Sequence, residues 1–268
     1  MSASPHIFDG PDADVILRAP LQPGSEEFKD FHVHKLILSI ASIVFRDTFS
    51  IPQPSCNTSE STTLDVVQVT ESAEALETFL QFIYPVDPPV IEDLRLVDDL
   101  FQLTEKYMAK GVSTKLKKLL VSPSFLKDDP IGVFAIARRH DLDEEERLAI
   151  SHTFSVNVVS QISERHLQIM TAKTYHHLLT EHSRRREQLI NAAHSVQCLC
   201  RCGEKLEKEM RTRMTERPYL DRGMLEACLP STGSMDSIGC GSHRACTSLT
   251  PGLRSAFLAE VTYKILTV

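Results

Sequence analysis

Six side chains toward the end of the chain, Cys198, Cys200, Cys202, Cys240, His243 and Cys246, supply enough soft and imidazole donors for a tetrahedral zinc site. Their spacing argues the other way. C-x-C-x-C sets three thiolates closer together than one ordinary zinc knuckle uses, and on a helix it would scatter them around the circumference. The six stay as metal candidates, but the residues favour unpaired thiols in a loosely packed segment, so no cofactor is expected. Of the seven cysteines only Cys56 precedes residue 198, a usage that fits a reducing intracellular compartment, cytoplasm or nucleus. His32 and His34 share one face of an extended segment, and His176 and His177 are adjacent. Neither pair has an acidic or sulfur partner close in sequence, so both read as structural histidines.

Catalytic spacing is missing elsewhere. There is no glycine-rich phosphate loop, no nucleophile elbow and no H-E-x-x-H, and the 10 glycines fall mostly after residue 200. The expectation is a chain that catalyses nothing. Net charge is −7, and residues 1–130 carry 20 acids against 11 bases, so the first half repels a phosphate backbone and nucleic-acid binding is disfavoured. Arg184-Arg185-Arg186, the one basic run, reads as a solvated helix face. No stretch of 18 apolar residues occurs, and the first 30 residues are dotted with acids, so neither a membrane span nor a secretion signal is expected.

The elements that would position any site begin with D-A-D-V-I-L-R-A at 12–19, whose alternation predicts a half-buried strand. A turn follows at 21–24, then a second strand at Phe31-His32-Val33 that folds back as a hairpin. From Lys35, the spacing of Leu36, Ile37, Ile40, Ile43 and Val44 predicts one apolar helical stripe, and F-R-D-T-F a second short helix ending near Ser50. After a loop at 52–62, L-D-V-V-Q-V predicts a third strand. A helix capped by Thr70 then carries Leu76, Phe79, Leu80 and Ile83 on one face and is stopped by Tyr84-Pro85. The next helix runs from Leu94 to Ala109, with Leu96 and Met108 among its inward residues and Lys110-Gly111 as its stop signal. A shorter helix carries Val112, Leu116, Leu119 and Leu120.

Ser122-Pro123-Ser124 breaks the pattern, and everything after it reads helical. Asp129 before Pro130 predicts a helix over about 130–139. Asp143 and Glu146 sit at capping-box spacing ahead of a helix through Leu148, Ile150 and Phe154. Two more helices are expected near 163–171 and 173–193, and a final amphipathic run carries Phe257, Leu258, Val261, Ile265 and Leu266.

Four blocks in order, D-A-D-V-I-L-R-A, F-H-V-H-K-L-I-L-S-I-A-S-I-V-F-R-D-T-F, A-L-E-T-F-L-Q-F-I-Y-P and L-F-Q-L-T-E-K-Y-M-A-K-G-V, resemble the BTB/POZ family over about residues 10–121. The stretch D-P-I-G-V-F-A-I-A-R-R-H-D-L-D-E-E-E-R-L-A-I looks like the extension that follows this domain in many fungal BTB proteins and is loosely similar to BACK helices. The resemblance implies an α+β fold, a small mixed sheet covered by helical hairpins, followed by an all-helical extension. The resulting division is a flexible N-terminus at 1–9, a BTB/POZ domain at 10–121, a BACK-like extension at 122–195, and a cysteine-containing tail at 196–268 that is partly helical and partly disordered.

That resemblance also implies protein partners, with the chain pairing with itself or a related BTB chain. Asp14 and Lys35 match residues that face each other across the family's dimer interface, and Leu36, Ile37, Ile40 and Val44 divide between core and interface. The interface candidates are accordingly Asp14, Lys35, Leu36 and Ile40. His34 matches the family histidine and is expected to hydrogen-bond beside a backbone turn. Two alternatives stand beside this reading. One is an adaptor for a cullin-type ubiquitin ligase, for which the family uses a hydrophobic-x-Glu motif after the helix ending near Ile83; Ile91-Glu92 fits it only in part. The other is a transcription cofactor whose tail contacts zinc or DNA.

Overall fold

A computed structural model describes residues 8–51 and 64–195, together with 208, 210–212 and 214. The chain divides into two compact units, Met1–Asp128 and Asp129–Val268.

In the first unit, strands β1 (Val15–Pro20) and β2 (Phe28–Val33) pair antiparallel from Val15↔Val33 to Pro20↔Phe28. Between them Leu21 N–H donates to the Glu27 carbonyl at 2.8 Å, and Gly24 takes the positive φ of 81° that the turn requires. The hairpin is longer than the sequence predicts. Of its extra residues Phe28, Lys29 and Asp30, Asp30 ties the two strands, since the Arg18 guanidinium grips both of its oxygens at 2.7 Å, and Lys29 reaches Glu77 at 2.8 Å. Strand β3 (Asp65–Gln68) lies on the other side of β1 and runs parallel to it, giving the order β2-β1-β3. Val15, Leu17 and Ala19 are fully buried while Ile16 and Arg18 are only half-buried, as the alternation demands.

The crossover from β2 to β3 is a helical hairpin, α1 (Lys35–Ala41) and α2 (Ile43–Ser50). The predicted single stripe is broken at Ser42. Its hydroxyl accepts from Phe45 N–H at 3.1 Å and donates to the Tyr107 carbonyl at 2.6 Å, so Ser42 ends one helix and caps the next. This changes which side chains face inward: Leu38 and Phe45 are buried, whereas Leu36 and Ile40 are 70% and 79% exposed.

Helix α3 (Ala73–Ile83) buries Leu76, Phe79 and Leu80, and its cap is Ser72 rather than Thr70, because the Ser72 hydroxyl is the one that accepts from Ala75 N–H. Helix α4 (Leu94–Lys106) ends earlier than predicted. Met108 takes φ 51°, reversing the chain, so Lys110 and Gly111 open α5 (Lys110–Leu120) instead of closing α4, and Met108 is left exposed. A short α6 (Pro123–Asp128) completes the unit. Leu100, Phe101, Leu116 and Leu120 join α3 in the core under the sheet.

The second unit is built on α7 (Pro130–Arg139), whose bounds match the prediction: Asp129 accepts from Gly132 N–H at 2.8 Å and Pro130 occupies the position where its missing N–H costs nothing. Residues Ile131 to Ala137 are buried on every side, which makes α7 the central helix of this unit. Helix α8 (Asp143–Thr153) follows a turn in which Asp141 takes φ 51°. The predicted capping box is absent, since the cap residue is Leu142 and Glu146 turns inward to Arg138. Leu148 is exposed. Short α9 (Val158–Gln161) and α10 (Glu164–Ile169) lead into the 24-residue α11 (Ala172–Ser195). The final amphipathic run at 257–266 lies outside the described residues.

Candidate interaction surface

The residues just before β1 and just after β2 converge on the start of α1. The cap residue of α1, His34, makes no side-chain cap bond of its own; Asp14 supplies one, its Oδ1 accepting from Lys35 N–H at 2.6 Å. A carboxylate there suits the positive end of the helix. Lys35 sends its ammonium to Asp65 of β3 at 2.7 Å. Asp14 and Lys35 therefore meet within one chain, through the backbone of Lys35, and lash β1, α1 and β3 together.

His34 completes the anchor. Its N–H donates to the Tyr84 hydroxyl at 2.8 Å, its Nδ1 lies 3.1 Å from the same oxygen, and its Nε2 lies 3.1 Å from Asp12. The bond from His34 holds the Asp12 carboxyl below its ordinary range, while burial pushes the Tyr84 phenol up. Tyr84 also meets Phe8 edge-on, with ring centres 5.2 Å apart. The role of Tyr84 was not legible in the sequence, because it lies 50 residues from His34 and showed only as a helix stop.

With its first turn held in this way, α1 presents Leu36 and Ile40, one turn apart on one face, to solvent. Leu38 faces the opposite way into the core. Two outward aliphatic side chains on a seven-residue helix form an apolar surface without a cover, and two more exposed apolar residues of this unit are Val66 and Val90. Val90 is 89% exposed and stands two residues before exposed Glu92, whereas Ile91 between them is buried. The exposed hydrophobic-x-Glu spacing is therefore that of Val90 and Glu92, and Ile91, the residue the sequence points to, faces inward.

Titratable clusters elsewhere are structural ties. Glu71 receives Lys106 and, at 3.0 Å, the Tyr107 hydroxyl; burial pushes its carboxyl up, but these bonds outweigh that and hold it low. In the second unit Asp129, His166 and Ser163 have the composition of a hydrolytic triad but the wrong order. Ser163 N–H donates to His166 Nδ1 at 3.0 Å, which places the ring proton on Nε2, facing Asp129 at 3.0 Å. The nitrogen beside the serine is thus occupied and unable to act as a base; the three residues instead join the starts of α7 and α10. His177 lies 3.3 Å from Glu146, and His176 contacts Thr180 of its own helix.

Among the described residues no group of three or more His, Cys, Asp or Glu is placed to hold a metal, and no helix is long and apolar enough to cross a membrane. The metal candidates Cys198, Cys200, Cys202, Cys240, His243 and Cys246 lie outside the described residues. In comparisons with known proteins, residues 21–124 match the family model of the BTB/POZ domain. No curated protein matches the chain.

Proposed function

Because this chain carries a BTB/POZ domain, a protein-interaction module, we propose that it acts by pairing through that domain with a second copy of itself or a related BTB chain. The observation that carries the reading is the outward face of α1, with Leu36 and Ile40 exposed on a helix whose first turn is clamped by Asp14 and Lys35. A face fixed in this way is preorganised, so covering it costs little side-chain or backbone ordering, and the apolar area removed from water supplies the driving force. Lys35 and Asp14, already satisfied within the chain, frame this face with polar groups. The helical unit after Asp128 serves as the extension that holds further partners. Light scattering coupled to size-exclusion chromatography at micromolar concentration tests the pairing: the expected mass is twice that of the chain, and a strictly monomeric species removes the claim.

A second reading, recruitment of a cullin scaffold, is favoured by one observation: the hydrophobic-x-Glu spacing of Val90 and Glu92, both exposed in the segment after α3. Binding to a purified cullin N-terminal domain, lost in Val90→Asp, is its test. No binding by the unmodified chain ends it.

A further inference from the structure

In the first unit, residues 84–93 between α3 and α4 read Y-P-V-D-P-P-V-I-E-D, and neither reading above uses their three prolines. Tyr84 leaves α3 with φ −76° and ψ 155°, close to polyproline II values. Val86 N–H then donates to the Tyr84 carbonyl at 2.9 Å, closing a tight turn over Pro85. From Asp87 to Glu92 the chain is neither helix, strand nor turn, and these residues make no backbone–backbone hydrogen bond among the described residues. The rings fix φ at about −65° in Pro88 and Pro89, and Asp87 and Pro88, each followed by a proline, are driven from the helical region. Extended backbone with fixed φ and no internal hydrogen bond has the character of polyproline II.

Both ends of the segment are held. The Tyr84 hydroxyl accepts from His34 N–H at 2.8 Å, and Ile91 and Leu94 are buried in the core. Between these anchors Asp87, Pro88 and Val90 are exposed, while Pro89 is half-buried. Three residues per turn put Asp87 and Val90 on one edge, Pro88 on the second, and Pro89 on the third, the edge nearest the domain. Two consecutive residues without an N–H cannot pair as a strand, which excludes a partner that adds a strand here, a second copy of this segment included. The segment offers instead the exposed Pro88 ring, the Val90 side chain, carbonyl oxygens that meet no backbone donor among the described residues, and the exposed acids Asp87 and Glu92.

We propose that residues 87–92 are a docking segment for a partner domain whose groove is lined with aromatic rings and rimmed with basic residues, the kind of groove that takes polyproline II ligands. Aromatic faces pack against Pro88 and Val90, groove donors such as an indole N–H meet the open carbonyls, and the basic rim faces Asp87 and Glu92. The prolines and the anchored ends set the conformation before binding, so little ordering entropy opposes association. The segment shares no residue with the outward face of α1, and the proposal does not rest on pairing through that face.

The test presents the full chain to an array of purified SH3, WW and EVH1 domains and titrates each domain that binds by calorimetry. At least one domain is expected to bind saturably, and a synthetic peptide of residues 84–93 to compete for it. Pro88→Ala/Pro89→Ala should weaken that binding about tenfold or more, and Asp87→Lys severalfold, the second loss shrinking as salt rises. Pro88→Ala alone, at an exposed ring, should lose severalfold, and it replaces the double variant if circular dichroism shows that the latter does not fold. Leu36→Asp/Ile40→Asp should leave the binding within about twofold, so a failure of pairing through α1 is told apart from a failure of this site. No saturable binding by any member of the array, or binding that the proline variants leave unchanged, overturns the proposal.

Discussion

The two units solve opposite problems. The first keeps most of its ion pairs at the surface, as in Arg18 with Asp30 and Lys35 with Asp65, with Glu71 and Asp98 as its inward carboxylates, and turns aliphatic side chains such as Leu36, Ile40 and Val90 toward solvent. The second draws ionisable groups inward, burying Glu146, His166 and His182 around an α7 that is apolar on every side. Exposed grease is tolerated where something covers it, and buried polar groups are tolerated where every hydrogen bond is met. The first unit thus has the surface of a partner-binding element, and the second the interior of a polar-tied helical stack.

The largest effect that separates them is steric. Phe134→Ala, at the centre of the second unit, should cost about 3–5 kcal/mol in chemical denaturation. Leu36→Ala on α1 should change the stability of the isolated monomer by less than about 0.5 kcal/mol, since that side chain is already in water. Equal costs would erase the distinction between core and docking face.

Acid provides the next contrast. The buried His182 protonates near 4 when folded, against an ordinary value near 6.5. Above that ordinary value the ring is neutral in both states and contributes nothing. As pH falls toward 4 only the unfolded chain takes the proton, so the second unit should lose roughly 3 kcal/mol. Asp129 acts in a lower window: its folded carboxyl is held below the ordinary carboxylate value, because the bonds from His166 and Gly132 outweigh its burial. Its contribution is lost only as pH falls through that lower value. Hydrogen exchange of the α7 and α11 amides measured against pH reads the His182 loss, and His182→Gln should flatten it. A loss of the same size and window in α3 and α4 would contradict the contrast.

Smaller effects sharpen the account of the first unit. Ser42→Ala removes both the α2 cap and the bond to the Tyr107 carbonyl, and should cost about 2 kcal/mol in thermal denaturation. Arg18→Gln breaks a pair that water screens and should leave the thermal midpoint almost unchanged.

What the sequence disclosed follows the same division. Local signals were legible: the alternation of Val15, Leu17 and Ala19, the stop at Tyr84-Pro85, and the Asp129-Pro130 start, each set by neighbours within a few residues. The α+β class and the BTB/POZ blocks were legible for that reason too. Features decided by distant partners were not. Ser42 breaks the helix because Tyr107, 65 residues on, offers it a carbonyl, and Glu146 abandons a capping role because Arg138 lies in reach. Of the interface candidates, the exposure of Leu36 and Ile40 could not be separated from core burial until the break at Ser42 set the phase of α1. Asp14 and Lys35 could be matched to a family pattern, but their bonds within the chain depend on where β3 lies.

Sedimentation equilibrium of the Leu36→Asp/Ile40→Asp variant beside the unmodified chain tests the central claim most directly. Losing two buried aliphatic contacts from each protomer should cost at least about 3 kcal/mol, so the dimer dissociation constant should rise by roughly a hundredfold with the far-ultraviolet dichroism unchanged. An unmodified chain that dimerises and a folded variant that dimerises just as tightly would show that the outward face of α1 is not the surface that joins the two polypeptides.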